Sequence, residues 1–268
     1  MLCVGLDADE TVHRRVDAAY YKVNTAPMER DGRLHDLPAL VRDIRAARPA
    51  ARVIVDAKRG DVPHTAEAYA EFVFGLAGAD AVTVSPYLGR DCVRAFSARG
   101  DVFVLCKTSN PNSGDVQDLE LADGRAVYEA VVDTYRDLAA GFVVGATYPD
   151  ALARVRARAP EATLLVPGVG AQGGDAGAVL AAAGRERTLI AVSRAAETFV
   201  MPETVPPPLL PQDPFVKIAQ RAVRRGDFQL KSGRRSSVFF DSSVLYDHMG
   251  AVARAMAHLR PIEREVRD

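Results

Sequence analysis

Eight short apolar runs recur along the first 200 residues: Leu2–Leu6, Tyr20–Val23, Arg52–Val55, Ala81–Val84, Val102–Cys106, Phe142–Ala146, Thr163–Val166 and Thr188–Val192. Each is too short for a buried helix, and most are bounded by Gly, Pro, Asp or Ser. They are almost continuously hydrophobic, as parallel strands must be when helices cover the sheet. Between them lie amphipathic stretches, Leu37–Ala47, Thr65–Ala77, Arg125–Ala139 and Tyr148–Ala157, whose spacing predicts helices. Strand–helix alternation predicts right-handed crossovers and a parallel sheet. Eight units in about 200 residues fit a closed (β/α)8 TIM barrel better than an open, doubly wound sheet.

After Phe199 the pattern changes. Residues 201–214 hold six prolines and no helical period, so they read as an extended linker. Beyond them Phe215–Arg225 reads as a helix, Phe228–Asp241 as a hairpin around Lys231–Arg235, and Met249–Leu259 as a last helix. The chain therefore divides into a barrel over residues 1–200, a linker over 201–214 and a short, incomplete α+β segment over 215–268. That last segment is small for an independent core.

Composition narrows the partners. With 48% apolar and 26% charged residues the 268-residue chain is no disordered polymer. Its 34 basic and 35 acidic residues nearly cancel, which speaks against a nucleic-acid partner and makes any anion site a local feature. No apolar run reaches the ~18 residues of a membrane span, and no basic-then-apolar leader opens the sequence, so no membrane partner is expected. Cys3, Cys92 and Cys106 are odd in number and lie in or beside apolar segments, which points to free thiols and a reducing cytoplasm.

In such a barrel the reacting groups come from the carboxyl ends of the strands. Those ends carry Asp7, then Lys22 and Asn24, then Asp56, Lys58 and Asp61. Ser85, Lys107 to Ser109, Thr147, residues 167–174, Ser193 and Arg194 follow. The sharpest segment is Val55-Asp-Ala-Lys-Arg-Gly-Asp61. In an extended strand Asp56 and Lys58 share one side, here the barrel mouth. A carboxylate beside an ammonium keeps both charged, and Lys22 on the neighbouring strand sets a second cation against Asp56. A purely structural ion pair would show the same spacing. His13, His35, His64, His248 and His258 lack paired ligand spacing, so no metal is expected.

The seventh run ends in Pro167-Gly-Val-Gly-Ala-Gln-Gly-Gly174, in which Gly168, Gly170 and Gly173 satisfy G-x-G-x-x-G. A dinucleotide fold carries this motif in its first unit and an acidic residue after the next strand. Here it sits in the seventh unit, and Ser193-Arg194 follows. Glycine amides, a helix N-terminus and an arginine after the eighth strand predict a phosphate site instead.

Taken in order, Leu2-Cys-Val-Gly-Leu-Asp7, Tyr21-Lys-Val-Asn24, Asp56-Ala-Lys-Arg-Gly-Asp61, Val84-Ser-Pro-Tyr-Leu-Gly89, Leu105-Cys-Lys-Thr-Ser-Asn-Pro111, Val144-Gly-Ala-Thr147, the seventh-strand segment and Val192-Ser-Arg194 resemble one family. It is the orotidine 5′-phosphate decarboxylases of the longer bacterial type. The resemblance implies a carboxy-lyase that makes UMP in pyrimidine biosynthesis, without metal or organic cofactor, as a homodimer. It further implies that Lys22, Asp56, Lys58 and Asp61 form an alternating charge array. In that array Lys58 is the proton donor, and Asp61 reaches into the partner subunit's site. Asp7 holds the ribose and Ser109 the pyrimidine edge. Gln172 and Arg194 grip the phosphate, with Pro167, Gly170 and Gly173 among the substrate contacts.

Two other functions fit parts of the pattern. The D-x-K-x-x-D segment is shared with sugar-phosphate decarboxylases and aldolases of the same superfamily. A nucleotide-binding remnant without turnover fits the short first unit, since only 15 positions separate Asp7 from Lys22. The stretch from Gly226 to Ser237, followed by Phe239-Phe-Asp241, is similar to the N-terminal segment of orotate phosphoribosyltransferase. That family's pyrophosphate-binding loop does not follow it, so the tail is expected to have no transferase activity by itself.

Overall fold

The computed structural model describes residues 1–7, 10–170 and 172–202, together with the strands Val223–Gln229 and Arg235–Phe240. The chain divides into two compact units, residues 1–206 and 207–268.

In the first unit eight parallel strands close into a barrel in sequence order. They are β1 (Leu2–Gly5), β2 (Tyr20–Asn24), β3 (Arg52–Arg59), β4 (Ala81–Val84), β5 (Asp101–Lys107), β6 (Gly141–Val144), β7 (Thr163–Pro167) and β8 (Thr188–Val192). Strands β4, β6 and β8 are buried along their whole length, which is why their sequences do not alternate. Inward-facing Cys3, Ile54, Ala81, Phe103, Val143, Leu165 and Leu189 fill the barrel as one cluster. The residues between them in sequence, among them Val53, Val55, Val82, Val104 and Ile190, face outward into a second cluster shared with the helices.

The helices are α1 (Thr25–Arg30), α2 (Leu37–Ala47), α3 (Pro63–Ala70), α4 (Arg90–Ser97), α5 (Gly114–Gln117), α6 (Val127–Tyr135), α7 (Pro149–Arg158) and α8 (Ala176–Ala183). Helix α2 has the bounds its periodicity predicts. Its Leu37, Val41 and Ile44 recur at helical spacing and are buried, each contributing about 1.5–3 kcal/mol of apolar burial. The stretch Thr65–Ala77 is not one regular helix. It is α3, with Pro63 in its first turn, followed by a wider turn over Glu71–Leu76 in which Ala77 N–H bonds back to Phe72 O.

The first connection is as short as the spacing of Asp7 and Lys22 requires. Its described residues form a single 3₁₀ turn, Val12–Arg14. Buried His13 ties that turn to α2, with Nδ1 2.8 Å from Glu10 O and Nε2 3.0 Å from Asp43 Oδ2. Tyr21 adds a hydroxyl bond to Val16 O at 2.6 Å.

In the second unit β9 (Val223–Gln229) and β10 (Arg235–Phe240) pair antiparallel, with a register slip between Ser236 and Val238. This corrects the helical reading of Phe215–Arg225 at its end: residues 223–225 are strand, the start of one that continues through Gly226 and Asp227 to Gln229. The remainder of that helix, the linker from residue 203 and the helix over Met249–Leu259 lie outside the described residues. Among the described residues no helix is long and apolar enough to cross a membrane, and Cys3, Cys92 and Cys106 are free and buried.

Candidate active site

The polar cluster at the barrel mouth is built on an irregularity in β3. Val55 pairs with Val82 and Arg59 with Val84, so Asp56, Ala57 and Lys58 stand opposite Thr83 alone. Such a bulge re-aims side chains. Lys58 sits in the left-handed region at φ +49, a conformation that costs a non-glycine residue about 1–2 kcal/mol. The strand is therefore not extended at Lys58, and simple alternation is not what joins Asp56 to Lys58. The bulge brings Lys58 Nζ to 2.7 Å from Asp56 Oδ1.

Asp56 is the hub. Its Oδ1 accepts from Lys58 Nζ and, at 2.9 Å, from the Thr83 hydroxyl; its Oδ2 accepts from Lys22 Nζ at 2.7 Å. Burial alone would push the Asp56 carboxyl up, but Lys22 and Lys58 outweigh it and hold it down at about 2. Burial likewise works against the Lys22 ammonium, yet Asp56 and Asp7 raise its pKa above the ordinary lysine value. Asp7 Oδ1 lies 3.7 Å from Lys22 Nζ, and Asp7 Oδ2 accepts from Ser193 Oγ at 2.7 Å. Asp7, Lys22, Asp56 and Lys58 thus form one chain of alternating charges across β1, β2 and β3. Lys22 is 6% exposed and Asp56 9%, whereas the Lys58 side chain is half exposed and open to a ligand.

Asp61 stands apart from this chain. Its carboxylate accepts the N–H of Val62 at 2.7 Å, and among the described residues no hydrogen bond or ion pair joins it to Lys22, Asp56 or Lys58.

Ser109 lies on the loop after β5, packed against Gly145 and Gly168, which follow β6 and β7. A Cβ on Gly145 would fall 2.7 Å from Ser109 Cα, so only glycine admits the loop there. Gln172 Oε1 lies 2.7 Å, and Ser109 Cβ 3.4 Å, from where a Gly168 Cβ would stand. Gly168, Gly170 and Gly173 all have positive φ. Three loop amides are spent internally: Gly170 N–H on Gly174 O, Gly173 N–H on Gly170 O, and Gly174 N–H on Gly168 O. At the N-terminus of α8 the Asp175 carboxylate accepts one amide, Ala178 N–H, at 2.7 Å. Arg194, just after β8, is exposed and makes no hydrogen bond or ion pair among the described residues. It lines a cleft of about 270 Å³ with Gly5, Val12 and Ser193.

Lys107 does not belong to the mouth. A second ladder slip, between Leu105 and Lys107, sets Lys107 opposite outward-facing Val144. Its buried ammonium bonds Asp118 Oδ2 at 2.8 Å and lies 4.5 Å from the Tyr148 ring centroid. With Thr147, Tyr148 and Arg154 it lines a separate cleft of about 390 Å³. Thr83 is the member of the cluster that the sequence reading missed. Its signal was a polar residue inside an otherwise apolar buried strand, in phase with inward-facing Ala81.

Among the described residues no group of three or more His, Cys, Asp or Glu side chains is placed to hold a metal ion. Residues 1–196 match the orotidine 5′-phosphate decarboxylase / HUMPS family. An orotidine 5′-phosphate decarboxylase of Roseiflexus castenholzii is 51% identical over 184 residues, 65% of this chain and 67% of that protein. The structure of Leishmania donovani OMP decarboxylase is similar at TM-score 0.66 and 39% identity, over 75% of this chain and 87% of that one. The structure of Leishmania donovani UMP synthase is similar at TM-score 0.66 and 37% identity; the match covers 96% of this chain, which spans 65% of that one. With its barrel matched from end to end, this chain belongs to the orotidine 5′-phosphate decarboxylase family.

Proposed function

We propose that the chain converts orotidine 5′-phosphate to UMP and carbon dioxide, with Lys58 as the proton donor. The observation that carries this reading is Asp56, ionised and nearly buried between the ammonium groups of Lys22 and Lys58. Breaking the bond from C6 to the carboxylate carbon leaves an electron pair in the plane of the pyrimidine ring, outside the π system. That pair needs a preplaced positive charge, and the exposed end of Lys58 supplies one together with the proton that forms the C6–H bond. Solvent then returns a proton to Lys58. Asp56 holds Lys58 in place and disfavours the substrate carboxylate by like-charge proximity. Lys22 keeps Asp56 ionised, and Asp7 receives the ribose.

Arg194 and Gln172 take the phosphate, and Ser109, packed beside Gln172 over Gly168, takes the pyrimidine edge. Pro167, Gly170 and Gly173 shape the intervening loop. Since three of the loop's amides bond within the loop and Asp175 takes one amide of α8, the guanidinium carries most of the phosphate affinity. Binding energy from the phosphate, remote from C6, helps to hold the substrate in the strained arrangement.

Asp61 completes the array of a second copy in a homodimer. Its separation from its own array supports this, as do exposed Val62, Tyr87 and Leu88 beside it. Leu88 Cδ1 lies 3.2 Å from the position of a Gly60 Cβ, so these apolar groups flank the loop that carries Asp61. The match to a UMP synthase extends past the barrel and supports reading the second unit as a transferase-derived segment. Buried free thiols suit a reducing cytoplasm.

Loss of orotidine 5′-phosphate on the purified full chain tests the activity. Mixing Lys58→Ala with Asp61→Ala chains tests the shared site: activity above that of either variant alone is expected, because a mixed dimer holds one intact site. Binding of UMP with no turnover by the wild-type chain would overturn the reading in favour of a nucleotide-binding remnant.

A further inference from the structure

We propose that Thr83 is a positioning residue for this reaction, its hydroxyl fixing Lys58 in the left-handed conformation that presents the ammonium to the substrate. The inference rests on the reading of Lys58 as proton donor.

The bulge in β3 interrupts the ladder where the catalytic side chains stand, since three residues face Thr83 alone. Lys58 N–H, released from the ladder, donates to Thr83 Oγ1 at 2.9 Å. The Thr83 hydroxyl has one hydrogen to give, and it goes to Asp56 Oδ1, also at 2.9 Å. A carboxylate only accepts, so the direction of both bonds is fixed. One hydroxyl therefore joins the backbone of Lys58 to the carboxylate that holds the Lys58 side chain. The result is a closed loop: Lys58 N–H to Thr83, Thr83 to Asp56, Asp56 to Lys58 Nζ.

Thr83 is 1% exposed and flanked by Val82 and Val84 at 0%. Its branched side chain is stiff at χ1, so strand packing sets the direction of the hydroxyl. In that buried setting hydrogen bonds strengthen one another. Without the hydroxyl, the left-handed backbone of Lys58 loses the bond that offsets its strain, and Asp56 keeps two donors in place of three.

The test uses the full chain as Thr83→Val, Thr83→Ser and Lys58→Ala, with kcat and KM for orotidine 5′-phosphate, UMP affinity and melting temperature measured for each. Valine keeps the shape and removes the hydroxyl, so kcat should fall roughly 10- to 100-fold while UMP affinity stays within about threefold. Serine should restore kcat to within about threefold of wild type. A wild-type kcat in Thr83→Val, or an equal loss of kcat and UMP affinity, overturns the role of Thr83 while an inactive Lys58→Ala leaves the proton donor standing. An active Lys58→Ala overturns the parent reading and this inference with it. If Thr83→Val does not fold, Thr83→Ser is compared with Thr83→Ala, and equal kcat in those two overturns the proposal.

Discussion

Replacing Asp56 by Asn removes the one charge that Lys22 and Lys58 share. The two lysines will not suffer alike. The Lys58 side chain is 50% exposed and water replaces the lost partner, whereas the Lys22 side chain is 8% exposed and keeps only Asp7, 3.7 Å away and itself partly solvated. Removing one member of a buried ion pair costs about 3–5 kcal/mol. Asp7 offsets part of that, so Asp56→Asn should cost about 3 kcal/mol, a large share of the ordinary 5–15 kcal/mol of a folded domain. Lys22 also sets the sign of the pH dependence. In the wild type its pKa is raised above the ordinary lysine value of 10.5, so its contribution is complete below that pH and is lost as pH rises through the folded value. In Asp56→Asn, burial is opposed by Asp7 alone and the Lys22 pKa falls. The unfolded chain then binds the extra proton, and stability climbs as pH approaches 10.5 from below. Urea unfolding followed by far-UV circular dichroism at about pH 7 and about pH 9.5 reads both effects. The double variant Lys22→Met/Asp56→Leu should lose less than Asp56→Asn alone. A stability of Asp56→Asn within about 0.5 kcal/mol of wild type at pH 7, or a pH dependence like the wild type's, would refute this role for Asp56.

Three further outcomes are expected. The Asp56 carboxyl, lowered from 3.8 to about 2, contributes stability that is present above pH 4 and lost as pH falls through about 2; the shift is worth about 2 kcal/mol, and acid titration of Asp56→Asn should lack that loss. Arg194→Ala should weaken UMP binding by about 1.5–3 kcal/mol and barely change binding of uridine, measured by calorimetry; equal losses for both ligands would make Arg194 a structural residue. Gly145→Ala should raise the KM for orotidine 5′-phosphate, because the new methyl meets Ser109 Cα at 2.7 Å and must push its loop away; an unchanged KM would separate Ser109 from pyrimidine binding.

The barrel could be read from the sequence because one feature, a short and continuously apolar run, marks each of its strands. Helix α2 was legible to its ends for the same reason, in that Leu37, Val41 and Ile44 repeat without interruption. The site was legible in its residues more than in its geometry. Alternation along an ideal strand puts Asp56 beside Lys58, but the contact arises from a bulge and a left-handed lysine, neither of which has a signal in Val-Asp-Ala-Lys-Arg. The same blindness placed Lys107 at the mouth, because the slip after Leu105 turns it toward the helices. Thr83 escaped because a threonine suits any strand, and its importance depends on which residue faces it across the ladder. Likewise the glycine motif suggested a phosphate loop, yet sequence could not tell that three of its amides bond within the loop and that Asp175 takes one amide of α8.

The proposed mechanism stands on Lys58, held by Asp56 at the barrel mouth, giving its proton to C6 of the decarboxylated ring. The most direct measurement compares wild type and Lys58→Ala in two experiments on the same preparations, turnover of orotidine 5′-phosphate and equilibrium binding of UMP. Turnover by the wild type, none measurable by Lys58→Ala, and UMP affinity retained in the variant are expected. Substantial decarboxylation by Lys58→Ala contradicts that mechanism.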